Sequence, residues 1–266
     1  MSQSNRDKIV YDSNSSMKIA ILSCLGDREE QQDSFRYSLN KENGMVVICD
    51  GMGGHHGGAE ASRVSAECFL NNYTNSQTNT VSADALIYSA QESDRLVVSL
   101  TDSDGTLLKA GSTCVAITIH GKELFWCSVG DSRAYLLRQN EFVQLTSDQN
   151  YSTVLKEKLK AGLITCEEYS QEIQNGEALI SYLGIGNLSL IDFNLSPIEL
   201  CENDIVVVMT DGYYRLLSDE DIQRVITNFR NCEEAVQVIE TKAANIAKRK
   251  SISRDNATIA IISINY

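Results

Sequence analysis

The chain carries a single proline, Pro197, in 266 residues, which excludes proline-rich linkers and recognition tracts. Histidine is nearly as scarce, with three in all. The eight cysteines (Cys24, Cys49, Cys68, Cys114, Cys127, Cys166, Cys201 and Cys232) are scattered singly, and no pair has zinc-finger or redox spacing. No zinc site is expected. Most of these thiols sit inside apolar runs, where they behave as small hydrophobes, as suits a reducing compartment. No stretch approaches the roughly 20 apolar residues that a membrane helix requires. The run Ile19-Ala20-Ile21-Leu22-Ser23-Cys24 behind Met17-Lys18 has the outline of a secretion or lipidation signal. It is short for that role and follows a polar stretch, and it reads as a strand. Basic residues are also few, 23 against 36 acidic, for a formal charge of -13. Such a surface repels nucleic acid and anionic membrane, and it can supply carboxylates to hard cations. A cytoplasmic protein with neither nucleic acid nor membrane as partner is expected.

What is present is ordinary for a globular chain: 42% hydrophobic and 22% charged residues, enough for one large domain or two small ones. Residues 1–16 are polar and read as a loose arm ahead of a single domain over 17–266. Short, β-branched apolar runs at 17–25, 44–49, 113–119, 122–129, 133–138, 205–210 and 257–264 predict strands. Helical spacing appears over 59–73, 83–101, 219–227 and 233–249. The elements do not alternate strictly, so an α+β fold is expected and not a doubly wound sheet. Between 146 and 190 the texture turns polar and charged, the mark of an inserted flap, within which Thr165-Cys166-Glu167-Glu168 has the form of a capping box.

The informative pattern is aspartate and glycine at strand ends. Asp50-Gly51 follows one apolar run, Gly130-Asp131 another and Asp211-Gly212 a third, while Asp255-Asn256 precedes the last strand and Asp33 follows an early one. One Asp-Gly pair is usually just a turn. Five such carboxylates gathered at one sheet edge would need cations or protons to neutralise them. An all-oxygen set suits magnesium or manganese, and a glycine carbonyl such as that of Gly51 can add a further ligand. The glycine-rich run from Asp50 to Gly58 is either a phosphate-cradling loop or a flexible connection, and it lacks the Gly-Lys-Ser/Thr ending of a nucleotide P-loop. Arg28, five residues before Asp33, is either a phosphoryl partner or solvated surface. Asp131 has an alternative role as a turn cap paired with Arg133.

These segments resemble the metal-dependent protein serine/threonine phosphatases of type 2C in their bacterial form. The resemblance runs through Arg28 to Asp33-Ser34-Phe35, Asp50-Gly51-Met52-Gly53-Gly54-His55, Gly111-Ser112-Thr113, Val129-Gly130-Asp131-Ser132-Arg133, Thr210-Asp211-Gly212 and Asp255-Asn256-Ala257-Thr258. It covers essentially everything after residue 16. It implies a central antiparallel β-sandwich flanked by helices on both faces, with a flap beside the cleft. It also implies manganese or magnesium as cofactor, two ions bound tightly and a third more weakly. Asp50 would bridge the pair, with Gly51, Asp211 and Asp255 as further ligands. Asp33 would orient a metal-bound water, Asp131 with Asp211 would hold the third ion, and Arg28 would bind the substrate phosphate. Hydrolysis of phosphoserine and phosphothreonine on proteins by a metal-activated water is implied, without a covalent intermediate. A cognate serine/threonine kinase is the implied partner, and the chain is expected to be a monomer.

Two departures stand out. Gln32 occupies a position where many members carry glutamate, and Met52 one where eukaryotic members carry histidine; His55 is the nearby candidate for proton transfer. The alternative from another class is a catalytically weak or dead member acting as a binding scaffold. Against it, Asp33, Asp50, Asp131, Asp211 and Asp255 are all present.

Overall fold

In the computed structural model, residues 7–54, 56–75, 82–229 and 231–265 are described. Two antiparallel sheets face each other. The first has six strands in the order β1 (Lys8–Ser13), β2 (Met17–Cys24), β13 (Ala257–Ile264), β12 (Ile205–Met209), β8 (Arg133–Arg138) and β9 (Glu141–Gln144). The second has seven, following the path β10 (Asp192–Phe193), β7 (Glu123–Val129), β6 (Cys114–His120), β4 (Asn43–Gly53) and β3 (Asp33–Asn40). Its short strands β5 (Ala110–Ser112) and β11 (Ile198–Glu199) join β4 and β7.

Helices cover both outer faces, which explains why the central strands are apolar without alternation: each is buried on both sides. Along β12, Val206 and Val208 enter the core between the sheets with Ala260 and Ile262. Their neighbours Val207 and Met209 point the other way, into a core shared with Ile222, Ile226, Ala235 and Ile239. Those four belong to α6 (Asp219–Asn228) and α7 (Cys232–Lys250). In β4, Val46 and Ile48 face the inter-sheet core. Met45, Val47 and Cys49 face α1 (Gly57–Asn75) and α2 (Ala83–Val98). A strand's side chains alternate faces, so one run of valines serves two cores.

The expected α+β sandwich is present, and the four helical spacings fall on α1, α2, α6 and α7. Three local expectations need correction. Lys8–Ser13, expected within a loose arm, forms β1 and pairs with β2 from Lys8↔Ser23 to Ser13↔Lys18. Its own burial is slight, with Val10 alone packed against the inter-sheet core, so backbone pairing does most to place it there. Asp33 does not follow a strand but opens one, opposite Asp50 in the β3–β4 register. Asp50 is not a strand exit either, because β4 runs on to Gly53 by changing partners, from β6 up to Ile48 to β5 from Gly51.

The segment 146–190 holds α3 (Tyr151–Lys160) and α4 (Cys166–Glu172), and the capping box at Thr165 and Glu168 is formed. Among the described residues, no helix is long and apolar enough to cross a membrane. All eight cysteines are free, six of them buried.

Candidate active site

Antiparallel pairing puts the end of one strand beside the start of its neighbour, and at one end of the sandwich this gathers the aspartates. Asp211 follows β12 and begins the one-turn helix α5 (Asp211–Tyr214), while Asp255 lies just before β13, the partner of β12. Across the inter-sheet gap, Asp33 and Asp50 stand opposite each other, and Asp131 follows β7. A cleft of about 620 Å³ is lined by Arg28, Asp50, Asp131, Asp211, Arg215 and Asp255, with Gln32 and Gly51 in its wall. Asp33 lies buried behind it.

Threonines fix Asp33 by its carboxylate and Asp50 by its backbone. Asp33 Oδ2 accepts the hydroxyls of Thr210 and Thr258 at 3.0 and 2.7 Å, which ties the second sheet to the first. The other oxygen of Asp33, Oδ1, is buried and has no hydrogen-bond partner among the described residues. The backbone of Asp50 is held by Thr113, whose N–H donates to the Asp50 carbonyl at 2.8 Å and whose Oγ1 accepts the Asp50 N–H at 3.1 Å. Gly51 is required sterically: a Cβ there would lie 2.0 Å from the Gly58 carbonyl oxygen and 2.7 Å from that of Gln32. Gly212 is constrained alike, with the Asn256 carbonyl oxygen 2.1 Å from a Cβ position.

Burial dominates the electrostatics. It raises the Asp33 carboxyl to about 7, the Thr258 and Thr210 hydroxyls opposing and the charges of Asp211 and Asp255 adding. Burial, then the charge of Asp33, holds Asp50 well above the ordinary carboxylate range. Asp211 is raised to about 6 by burial against the pull of Arg215, and burial raises Asp131 also. Carboxylates so placed bind a proton or a cation in preference to standing charged and alone.

Two arginines reach into this cluster. Arg28 Nη2 lies 2.7 Å from Asp255 Oδ2, and its side chain is 59% exposed. Arg215 Nη2 lies 2.8 Å from Asp211 Oδ2. The donors surround the cleft without closing on one point: among the described residues, no three His, Cys, Asp or Glu side chains already converge as a metal-binding group. The donor set nevertheless fits hard divalent cations. It is all oxygen, it is buried and net negative, and it contains the orphaned Oδ1 of Asp33.

Arg28, Asp50, Gly51, Asp131, Asp211 and Asp255 therefore meet at this cleft, with Asp33 directly behind it. The turn-cap alternative for Asp131 fails in its proposed partner, because Arg133 is paired bidentately with Asp148, at 2.9 and 2.7 Å. His55 lies outside the described residues. Its neighbour His56 is exposed and ion-paired with Glu30, a cleft residue, and that contact raises its imidazole above the ordinary value. Gln32 takes its backbone N–H to Asn256 Oδ1 at 2.8 Å, and its amide donates to Glu30 at 3.2 Å.

The residues that sequence reasoning missed are the buried hydroxyls Thr210 and Thr258, and the pair Arg215 and Glu177. The threonines carried a signal, since each is a polar side chain at the site end of an apolar strand. Arg215 carried a weaker one, four residues beyond Asp211 and thus on the same side of a helical turn.

The protein phosphatase 2C family model matches residues 22–248 of the chain. Protein phosphatase PhpP of Streptococcus pneumoniae is 26% identical over 252 residues, covering 94% of this chain and 98% of that protein. The serine/threonine phosphatase stp of Listeria welshimeri is 26% identical over 243 residues, covering 90% and 92%. Among solved structures, the S. agalactiae serine/threonine phosphatase superposes with a TM-score of 0.77 at 28% identity, over 92% of this chain and 98% of that one. The fold of the catalytic domain of PstP, solved in complex with two manganese ions, matches with a TM-score of 0.74 at 22% identity, over 94% and 99%. With fold, aspartate cluster and family model in agreement, this chain belongs to the protein phosphatase 2C family of metal-dependent serine/threonine phosphatases.

Proposed function

We propose that the chain hydrolyses phosphoserine and phosphothreonine esters on proteins, with water as the nucleophile and no covalent enzyme intermediate. The observation that carries this reading is the meeting of Asp33, Asp50, Asp131, Asp211 and Asp255 at one cleft whose rim holds Arg28. Asp50, the Gly51 carbonyl, Asp211 and Asp255 would hold two manganese or magnesium ions, and Asp131 with Asp211 a weaker third. Bound there, the ions would lower the pKa of a water and neutralise charge on the phosphoryl oxygens.

The chain's own groups account for the rest. Arg28, exposed at the cleft, binds the phosphate, exchanging one anionic partner, Asp255, for another. Asp33, locked through Oδ2 by two threonines, keeps Oδ1 to accept a hydrogen bond from the attacking water and aim it. As the water oxygen bonds to phosphorus, the bond to the serine or threonine oxygen breaks, and that oxygen takes up a proton in exchange for the one the water gives up. The two exposed cysteines, Cys166 and Cys201, do not line the cleft, so the reading assigns neither a role. The open cleft and the flap at 146–190 suit a protein segment as substrate. A cytoplasmic monomer opposing a serine/threonine kinase is the physiological setting that goes with this chemistry.

Release of inorganic phosphate from a phosphothreonine peptide is expected to depend on added manganese. Asp50→Asn should lower it ~10³-fold or more, since a bridging carboxylate supports both ions, while the circular dichroism spectrum stays native. Undiminished turnover by Asp50→Asn overturns the assignment.

A further inference from the structure

Arg215 sits where the weak third ion would have to be held. It directly follows α5, and its backbone N–H closes the turn onto the Asp211 carbonyl at 3.0 Å. The turn returns its side chain to Asp211, whose Oδ2 lies 2.8 Å from Nη2. The other terminal nitrogen, Nη1, lies 3.1 Å from Oε2 of Glu177, which belongs to the flap. The guanidinium is thus strung between an acid of the cluster and an acid of the flap, with its side chain 39% exposed.

The neighbouring Tyr214 fixes the frame around it. Its hydroxyl donates to the Asp131 carbonyl at 3.0 Å. Its ring is covered by the guanidinium of Arg133 at 3.7 Å from the centroid, and Arg133 is in turn clamped by Asp148. Tyr214 and Arg215 therefore engage both residues on which a third ion would depend: Asp211 at its carboxylate, and Asp131 at its backbone carbonyl. An ion held by two carboxylates and several waters gains little from the protein. A guanidinium on one of those carboxylates takes lone pairs the ion needs and adds like-charge repulsion.

We propose that Arg215 is a built-in competitor of the third divalent ion, bound to Asp211 in its place and steadied there by the flap residue Glu177. The proposal rests on the two-ion reading above and concerns only the weaker site. The tight pair would share Asp211 with the third ion, but it also draws on Asp50, Gly51 and Asp255, with which Arg215 makes no ion pair.

The test is a manganese titration of the metal-free protein, following free manganese by its EPR signal. Elemental analysis of the dialysed protein counts the tightly held ions. In the unaltered chain two tight ions and a weak third are expected. Arg215→Ala and Arg215→Gln should each strengthen the third by roughly 10-fold, about 1.4 kcal/mol, with two tight ions still retained after dialysis. Arg215→Lys, which keeps the charge, should stay near the unaltered chain. A melting curve on each variant identifies any that fails to fold, and the two neutral substitutions back each other up. A third ion that binds equally in the unaltered chain and both neutral variants, or is absent from all of them, overturns the proposal. Failure to retain two tight ions in the unaltered chain overturns the two-ion reading instead, so the two failures are distinct.

Discussion

The strand ends and the flap border the same cleft and are built on opposite principles. Two of the aspartates are positioned by strand backbone buried on both sides: Val206, Val207, Val208 and Met209 are fully buried ahead of Asp211, and Val46, Val47, Ile48 and Cys49 ahead of Asp50 within β4. In the flap, α3 buries only Leu155 and α4 buries nothing. What holds these helices and their surroundings is largely polar, such as the capping box at Thr165 and the ion pairs from Asp148 to Arg133 and from Glu177 to Arg215. Buried strands gain stability in proportion to area removed from water, whereas exposed ion pairs gain little. The rigid half can therefore hold charges together at a cost, while the loose half can adapt to what enters the cleft.

The largest expected effect tests where the stability lies. Ile261→Ala, in the core beneath α6 and α7, should destabilise by about 2–5 kcal/mol, whereas Leu163→Ala in the flap, 74% exposed, should change stability by less than about 0.5 kcal/mol. Chemical denaturation of both variants checks this. Comparable losses would make the flap part of the cooperative core and end the contrast.

The next effect concerns the cost of the cluster. Asp33 is raised to about 7 and Asp211 to about 6 from an ordinary 3.8, so the folded chain binds these protons more tightly than the unfolded chain. The stability gained from protonation is fully present below the unfolded value and is lost as pH rises through about 6 to 7. The metal-free protein should therefore melt higher at pH 5.5 than at pH 8, with a limiting slope of about 1.4 kcal/mol per pH unit for each proton. Saturating manganese should reverse the trend, because ions bind the ionised carboxylates. Asp33→Asn should flatten the metal-free dependence. A flat profile in the unaltered protein would mean the carboxylates are not desolvated.

The smallest effect separates binding from stability within the cleft. Arg28→Ala should leave the melting temperature nearly unchanged, as its pairing with Asp255 is largely exposed. It should raise KM by about 10-fold with a smaller change in kcat, the signature of a lost ground-state contact. Steady-state kinetics on a phosphothreonine peptide decide it, and an unchanged KM would place Arg28 outside the phosphate site.

Much of this architecture was legible in the chain itself. Unbroken apolar runs such as 205–210 marked strands covered on both faces, and helical spacing marked α1, α2, α6 and α7 within a few residues. Aspartates beside glycines at the ends of those runs marked the site, because short acidic side chains at strand ends have few other reasons to cluster. β1 went unread because its Ile9-Val10-Tyr11 run is only three residues long within a polar stretch, and the strand is held at the sheet edge mainly by backbone pairing with β2.

Local sequence thus determined which segments become strands, where the carboxylates sit along them and which residues must be glycine. Register and packing decided what those carboxylates touch. Asp33 opposite Asp50, the hydroxyls of Thr210 and Thr258 on Asp33, Arg28 on Asp255 and Glu177 on Arg215 are all contacts between separate elements. Arg28 and Asp255 are 227 positions apart. Local propensity is set by a residue's immediate neighbours, but a side-chain partner is set by which elements the hydrophobic cores press together, and only the folded chain contains that information.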